Sequence, residues 1–206
     1  MITGDHTVGS LNVSRETYER LEVFADTLQR WNPKINLVSK SSISDLWIRH
    51  IIDSVQVFQC TIPKGHWVDL GSGGGFPGLV VGILARQFAP DLKLTLVESD
   101  QRKSAFLRTA ARETGAQLTV LSKRIEQVEP LNADILSARA LTDLSGLLGF
   151  AQRHLSSSGT ALFPKGATWE KELAQAQREW KFSVTPITSI TEPSSVVLRI
   201  QGVSRG

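Results

Sequence analysis

The sequence predicts an α/β fold with a Rossmann-like, mostly parallel sheet, an antiparallel last strand and an N-terminal helical extension. Beyond residue 63, short β-rich runs alternate with helical segments, which is typical of βαβ units. A glycine-dense segment separates the first of these runs from the helix that follows it. The last two β-rich runs are joined by a turn-like segment, 191–195, that is too short for a crossover helix. These two runs should therefore pair as an antiparallel hairpin.

The residues before the sheet predict two helices. From Ser14, apolar residues recur at spacings of three and four as far as Pro33, where the helix should end. A second stripe of this kind runs from Ile43 to Phe58. The segment before Ser14 is polar and aperiodic, as expected of a mobile terminus. The expected organisation is a flexible tail, a helical extension and a main domain, at 1–13, 14–62 and 63–206.

The main domain should follow the alternation of strands and helices along the chain. Its β-rich runs predict strands at 66–70, 92–97, 117–121, 133–137, 160–163, 182–185 and 196–200. The helical segments between them predict helices at 77–88, 100–114, 143–154 and 169–180. Ligands of such folds bind outside the carboxyl ends of the strands. The loops that follow the strands are therefore the segments in which to look for function.

Composition excludes several classes of protein. With 206 residues, of which 41% are hydrophobic, the chain is long enough for one α/β core but not for two full domains. Its one cysteine, Cys60, cannot form a disulfide within the chain, and the first residues lack the apolar core of a signal peptide. Both observations favour a cytoplasmic protein. The apolar runs are shorter than the roughly 18 residues of a membrane span. The net charge of +3 permits an anionic partner without requiring one. No metal site is expected.

The glycine-dense segment from Asp69 to Gly78 predicts a ligand site. Glycines permit positive φ and remove the Cβ that would obstruct a close approach, while Pro77 suits the first turn of a helix. The N–H groups at the start of that helix favour a carboxylate or a phosphate. The alternative is a tight structural turn.

Two ligands compete for this loop. Gly73, Gly75 and Gly78 satisfy the G-x-G-x-x-G pattern, and Glu98 follows about 20 residues later, as in NAD(P)-dependent oxidoreductases. Asp69 favours S-adenosylmethionine instead, because a carboxylate there can pair with the ammonium of a methionine and would repel a pyrophosphate. The expected terminal hairpin is similar to the reversed last strand of class I methyltransferases. Glu98 would accept hydrogen bonds from both ribose hydroxyls of either ligand.

The loops after the third and fourth strands add further candidates. Ile125 and Glu126 lie where an adenine is usually held, as an apolar wall and a partner of the exocyclic amine, although an ordinary surface loop explains them equally well. The chain lacks an Asn/Asp-Pro-Pro-aromatic motif, which argues against exocyclic amines as methyl acceptors, and Cys60 is poorly placed for a covalent nucleophile. An acceptor with an in-plane lone pair, such as guanine N7, needs no base, and Arg139 could position it. The alternative for Arg139 is a structural salt bridge or a phosphate contact.

Basic residues suggest an RNA-facing surface. Between residues 101 and 125, one acidic residue, Glu113, accompanies six basic ones: Arg102, Lys103, Arg108, Arg112, Lys123 and Arg124. Lys165, just past a strand, could orient RNA or close the pocket. Solvated helix faces are the alternative for each of these residues. A non-catalytic module that binds a nucleotide or RNA therefore also remains open.

Taken together, these motifs resemble the bacterial 16S rRNA guanine-N7 methyltransferase family, RsmG or GidB. The resemblance covers nearly the whole chain after the tail, and its segments are 31–38, 49–54, 69–78, 137–141 and 165–166. Gly74 departs from the pattern, since many relatives carry proline or alanine there.

The resemblance implies a class I, S-adenosylmethionine-dependent enzyme that methylates N7 of one guanine in 16S rRNA, within the small ribosomal subunit or its precursor. It also implies donor contacts at the positions of Gly71, Phe76, Ile125, Glu126 and Arg139. For His50 and Asp53, three residues apart on one helix face, we expect a hydrogen-bonded pair that docks the extension on the main domain, with substrate contact as the alternative.

Overall fold

The N-terminal part of the protein is a short hairpin followed by helices in a computed structural model that describes residues 6–206. The elements are β1 (His6–Val8), β2 (Leu11–Val13), α1 (Arg15–Ile35), a 3₁₀ turn (Lys40–Ser42), a π-helix (Trp47–Ile52) and α2 (Asp53–Gln59). The expectation of a flexible tail is wrong for residues 6–13, because Val8 and Val13 are buried and hold the antiparallel hairpin against the core. Residues 1–5 lie outside the described part of the chain.

Helix α1 begins where the sequence predicts and ends two residues later than predicted. The Ser14 hydroxyl caps it by accepting from the backbone N–H of Thr17. Pro33 lies in the last turn, where its missing N–H removes only one helical bond, and the helix ends at Ile35. The second predicted helix is less regular, since its first part is turns and its middle is the π-helix.

The main domain is a seven-stranded sheet with helices on both faces. Its strands are β3 (His66–Leu70), β4 (Lys93–Val97), β5 (Thr119–Leu121), β6 (Ala133–Ala138), β7 (Leu155–Lys165), β8 (Trp180–Thr188) and β9 (Val196–Arg205). Its helices are α3 (Gly78–Phe88), α4 (Gln101–Thr114), α5 (Leu144–His154) and α6 (Trp169–Ala176). Strand β7 begins directly after α5, five residues earlier than predicted, and α6 ends at Ala176 because Trp180 already begins β8.

The strand order is β5-β4-β3-β6-β7-β9-β8. Strands β3 to β7 are parallel, and β9 runs antiparallel between β7 and β8. The predicted parallel sheet with a reversed last strand is thereby confirmed. The chain reverses its direction across the sheet between β3 and β6, and this switch point is where open α/β sheets bind ligands.

Side chains of β3 alternate between two cores. Trp67 faces a cluster shared with α1 to α4, whereas Val68 and Leu70 face a cluster shared with α5, α6 and the terminal hairpin. Phe24 of α1 is completely buried in the first cluster, and such burial contributes about 2 kcal/mol. The helical extension therefore packs on the sheet's first face as part of the same core. Within residues 6–206, the structure contains no helix long and apolar enough to cross a membrane.

Candidate functional site

A cavity of about 580 Å³ lies at the carboxyl ends of β3, β4 and β6. The loop after each strand contributes to its wall: Gly71 to Gly74 with Phe76, Glu98 and Ser99, and Arg139 to Thr142. Ile125 and Glu126 from the loop after β5 close another side. The structure thus brings together most of the residues that the sequence analysis selected as cofactor contacts.

The glycine loop forms a backbone cradle on one side of this cavity. The N–H groups of Gly71 and Ser72 both donate to the carbonyl of Val97, at 2.9 and 3.1 Å, which anchors the loop to β4. Gly71 and Gly73 have positive φ angles of 66° and 50°, so the loop depends on glycine at both positions. Gly75 is different. It is not part of the cavity wall, and a Cβ there would lie 3.2 Å from the ring of Phe24 in the core.

Glu98 is held rigidly in the cavity wall. One of its carboxylate oxygens accepts from the N–H of Gly73 and the other from the N–H of Asp100, both at 2.8 Å. The residue is only 8% exposed. Each carboxylate oxygen has a second lone pair, so Glu98 can still accept two further hydrogen bonds. Its position fits the predicted contact with a pair of vicinal hydroxyls.

Asp69 lies beneath the glycine loop and not in the cavity wall. It is 1% exposed, and its Oδ1 accepts from the Ser137 hydroxyl at 2.6 Å, which in turn accepts from the Trp67 indole N–H at 2.9 Å. Burial raises the pKa of Asp69 to about 6. The sequence predicts that this carboxylate pairs with a ligand ammonium directly or through water, and its burial outside the cavity wall leaves no room for the direct contact. Its position favours an indirect role, as a buried acceptor that fixes the end of β3 to β6.

Arg139 occupies the boundary between this cavity and a second one. Its guanidinium lies over the ring of Phe76, 5.2 Å from the centroid, and donates to the carbonyl of Arg49 in the π-helix at 3.4 Å. Burial lowers the pKa of Arg139, and the carboxylates of Asp53 and Asp69 oppose this effect. The sequence predicts Arg139 beside a methyl acceptor, and in the structure it lies where two cavities meet.

The second cavity, of about 390 Å³, was not predicted. It shares Arg139, Ala140 and Thr142 with the first cavity. The rest of its wall comes from three segments. Helix α2 contributes Asp53 and Gln56, the end of β7 and helix α6 contribute Lys165 and Glu172, and the start of β9 with the turn before it contributes Val196 and Ser189. Its parts are far apart in the sequence, so no motif spacing reveals it.

The prediction of a hydrogen bond between His50 and Asp53 is wrong. Both ring nitrogens of His50 are buried without a hydrogen-bond partner among residues 6–206. The ring stacks on Phe76 instead, with centroids 4.9 Å apart. Burial lowers the pKa of His50 to about 4, and the positive charges of Arg139 and Arg49 add to this effect. Asp53 accepts from the hydroxyl of Thr191 in the terminal hairpin. Helical spacing brought the two side chains to one face but did not make them partners.

The candidate RNA-binding residues fall into three groups. Lys103, Lys123 and Arg124 line the first cavity. Arg102 pairs with Asp100 at 3.6 Å, and Arg108 and Arg112 surround a surface hollow beside β5. Lys165 is largely buried, since its side chain is 9% exposed and its ammonium pairs with Glu172 at 2.7 Å. Within the described residues, no group of three or more His, Cys, Asp or Glu side chains is placed to hold a metal ion.

The sequence of the chain as a whole matches a family of known proteins. The family model described as rRNA small subunit methyltransferase G, or GidB, matches residues 17–197. The protein from Ruegeria pomeroyi named ribosomal RNA small subunit methyltransferase G is 65% identical over 95% of this chain and 96% of its own. A protein of the same name from Paramagnetospirillum magneticum is 50% identical over 94% of this chain and 93% of its own.

Solved structures with low sequence identity share the fold. A TehB-like SAM-dependent methyltransferase from Corynebacterium glutamicum has a TM-score of 0.58 at 14% identity, covering 88% of this chain and 99% of that one. A SAM-dependent methyltransferase from Aquifex aeolicus has a TM-score of 0.58 at 10% identity, covering 85% and 96%. The sheet described above is therefore the class I methyltransferase fold.

Proposed function

The chain belongs to the rRNA small subunit methyltransferase G (GidB) family, and on that premise we propose that it transfers a methyl group from S-adenosylmethionine to N7 of a guanine in 16S rRNA. The substrate is the small ribosomal subunit or its precursor, and we place the protein in the cytoplasm, where that subunit is assembled. The observation that carries this proposal is the meeting of two cavities at Arg139. One cavity has the features of a donor site, and the other is open to an acceptor.

The residues of the first cavity fit S-adenosylmethionine. A Cβ built at Gly73 meets nothing nearer than 3.7 Å, so a side chain there would project into the open cradle that a ligand can fill. Glu98 offers two free lone pairs to vicinal hydroxyls, and Ile125 with Glu126 offers an apolar wall and an acceptor to an adenine. When bound, S-adenosylmethionine supplies a sulfonium methyl group that is open to in-line displacement.

The chain's own residues then have simple tasks. The glycine loop and Glu98 hold the donor, the buried walls exclude water, and Arg139 orients the acceptor base. Guanine N7 has an in-plane lone pair and carries no proton, so no general base is needed. In this proposal residues 63–206 bind the donor, while the extension at 14–62 contributes to the acceptor side through Arg49 and Asp53.

RNA would approach along the mouth of the first cavity. Lys103, Lys123 and Arg124 lie there and suit contacts to phosphates, which position RNA without reading its sequence. Arg102, Arg108 and Arg112 extend the basic surface along α4. Lys165 is already paired with Glu172, so we propose that it shapes the second cavity instead of contacting phosphate.

The proposal is tested by tritiated methyl transfer to small subunits from cells that lack this protein, followed by nucleoside analysis for 7-methylguanosine. Arg139→Ala should lower the transfer rate about 100-fold, because a poorly positioned acceptor costs about that much. Arg139→Lys should restore little, since lysine lacks the planar fork of donors. The matched control is Arg178→Ala, which removes an exposed arginine that lines neither cavity.

Calorimetry with S-adenosylmethionine and with NAD separates the remaining alternatives. Heat with NAD only would favour the oxidoreductase. Donor and RNA binding without any methyl transfer would favour a non-catalytic module. Normal transfer by Arg139→Ala would remove Arg139 from the active site while leaving the family's activity in place.

A further inference from the structure

The second cavity has the size and construction of a binding site. Its volume of about 390 Å³ is in the range of small-molecule pockets, and four separate segments of the chain build it. It opens beside the first cavity at the end of β6, with Arg139 belonging to both. A group held there lies next to whatever the first cavity holds.

Most polar side chains of this cavity are already satisfied. Gln56 donates to the carbonyl of Thr188 at 2.7 Å and accepts from the N–H of Ile190 at 3.1 Å. Lys165 and Glu172 neutralise each other. These groups form fixed walls, and their hydrogen-bonding capacity is largely used by the protein itself.

Asp53 is different because half of its carboxylate is uncommitted. Its Oδ1 accepts from the Thr191 hydroxyl, and within residues 6–206 no donor reaches its Oδ2. The residue is half-buried, and burial raises the pKa of Asp53, while the Thr191 hydrogen bond and the positive charges of Arg139 and Arg49 oppose that rise. The cavity therefore offers an incoming group one guanidinium donor and a carboxylate with acceptor positions on both oxygens, Oδ2 and the second lone pair of Oδ1.

Guanine matches this pair of groups. Its N1–H and N2–H are adjacent donors on one edge, which a carboxylate can accept, and its O6 on the neighbouring edge accepts from arginine. Adenine presents an acceptor at N1 and would face the carboxylate unfavourably. If Arg139 donates to O6, the lone pair of N7 stays free.

We propose that the second cavity is the acceptor-base subsite, and that Asp53 determines specificity for guanine by accepting from its N1–H and N2–H. This inference rests on the proposed function and extends it to a residue of the helical extension. Methylation of N7 gives the purine a positive charge, so its N1–H becomes a stronger donor as the reaction proceeds. The Asp53 contact then stabilises the transition state more than the ground state, which affects kcat as well as KM.

The test uses inosine, which is guanosine without the exocyclic N2 amine. A 16S rRNA transcript in which a small, known fraction of guanosine is randomly replaced by inosine is assembled into small subunits and methylated with tritiated donor. Digestion to nucleosides and chromatography then give the ratio of 7-methylguanosine to 7-methylinosine. Divided by the input ratio, this value is the enzyme's preference at its own target, wherever that target lies.

Wild-type enzyme should prefer guanosine at least about tenfold, the size of effect expected from one lost hydrogen bond to a charged group. Asp53→Asn should reduce this preference to about twofold or less and should lower kcat/KM for guanosine, with the donor dissociation constant unchanged. The matched control is Glu192→Gln, which removes a carboxylate next to Thr191 and outside the cavity wall, and should keep the wild-type preference.

Two outcomes overturn the inference: equal methylation of guanosine and inosine by the wild type, or a wild-type preference retained by Asp53→Asn. The first needs no variant and stands even if Asp53→Asn fails to fold. Failure of the proposed function looks different, because the wild-type enzyme would then yield no 7-methylguanosine at all.

Discussion

Replacing His50 by phenylalanine should change how the stability of this protein depends on pH. Phenylalanine preserves an aromatic ring for stacking on Phe76 but cannot take a proton. In the folded protein, burial together with Arg139 and Arg49 lowers the pKa of His50 from 6.5 to about 4. Between these values the unfolded chain binds more protons than the folded one. The stability contributed by neutral His50 is therefore fully present above pH 6.5 and is lost as the pH falls towards 4.

The size of the effect follows from that difference in pKa, which corresponds to about 3 kcal/mol. Urea unfolding of the wild type and of His50→Phe at several pH values from 7.5 to 4.5 gives two free-energy curves. Their difference isolates His50, because the opposite contribution of Asp69, whose pKa is raised to about 6, is present in both proteins. A difference that stays constant across this range, or a His50 proton resonance that titrates near pH 6.5, would refute the reasoning.

Two further predictions concern stability at neutral pH. Gly78→Ala should lower the free energy of unfolding by about 1–3 kcal/mol, since its Cβ would lie 2.6 Å from Asp69 Oδ2 in a packed region. The control is Gly166→Ala, which should leave thermal and urea unfolding unchanged because no atom lies within 4 Å of its Cβ. Equal stability of these two variants would contradict the packing argument. Lys165→Met should cost about 2 kcal/mol in urea unfolding, because it leaves the Glu172 carboxylate, 26% exposed, without its ion-pair partner. Adding Glu172→Gln should recover part of that loss, and strict additivity of the two changes would show that the pair is not coupled.

The order of elements in the main domain could be predicted because local patterns determine it. Buried parallel strands appear as short apolar runs, and the glycine loop marks the turn from β3 to α3. The loop also located the first cavity, since a strand end, a glycine cradle and an acidic residue after the next strand are all features of one stretch of sequence. Glu98 accordingly lies where its position after β4 predicts.

What could not be predicted depends on contacts between distant residues. Asp69 belongs to the strand that leads into the glycine loop, yet the register of β3 against β6 places it opposite Ser137, where it is buried and hydrogen-bonded. Asp53 and Thr191 are 138 residues apart, and their contact arises only when the terminal hairpin packs beside α2. A helical pattern likewise cannot distinguish α-helix from the π-helix that carries His50. In each case the decisive neighbour is remote in the chain.

Phe76 explains why a helical extension belongs to this site. Its ring lies in the wall of the first cavity, with His50 stacked 4.9 Å away and the Arg139 guanidinium 5.2 Å away. Arg139 in turn donates to the carbonyl of Arg49, one residue before His50 in the π-helix. The extension therefore touches the glycine loop through an aromatic stack and the end of β6 through a hydrogen bond. A neutral His50 favours this arrangement, because a protonated ring would place a second positive charge beside the Arg139 guanidinium.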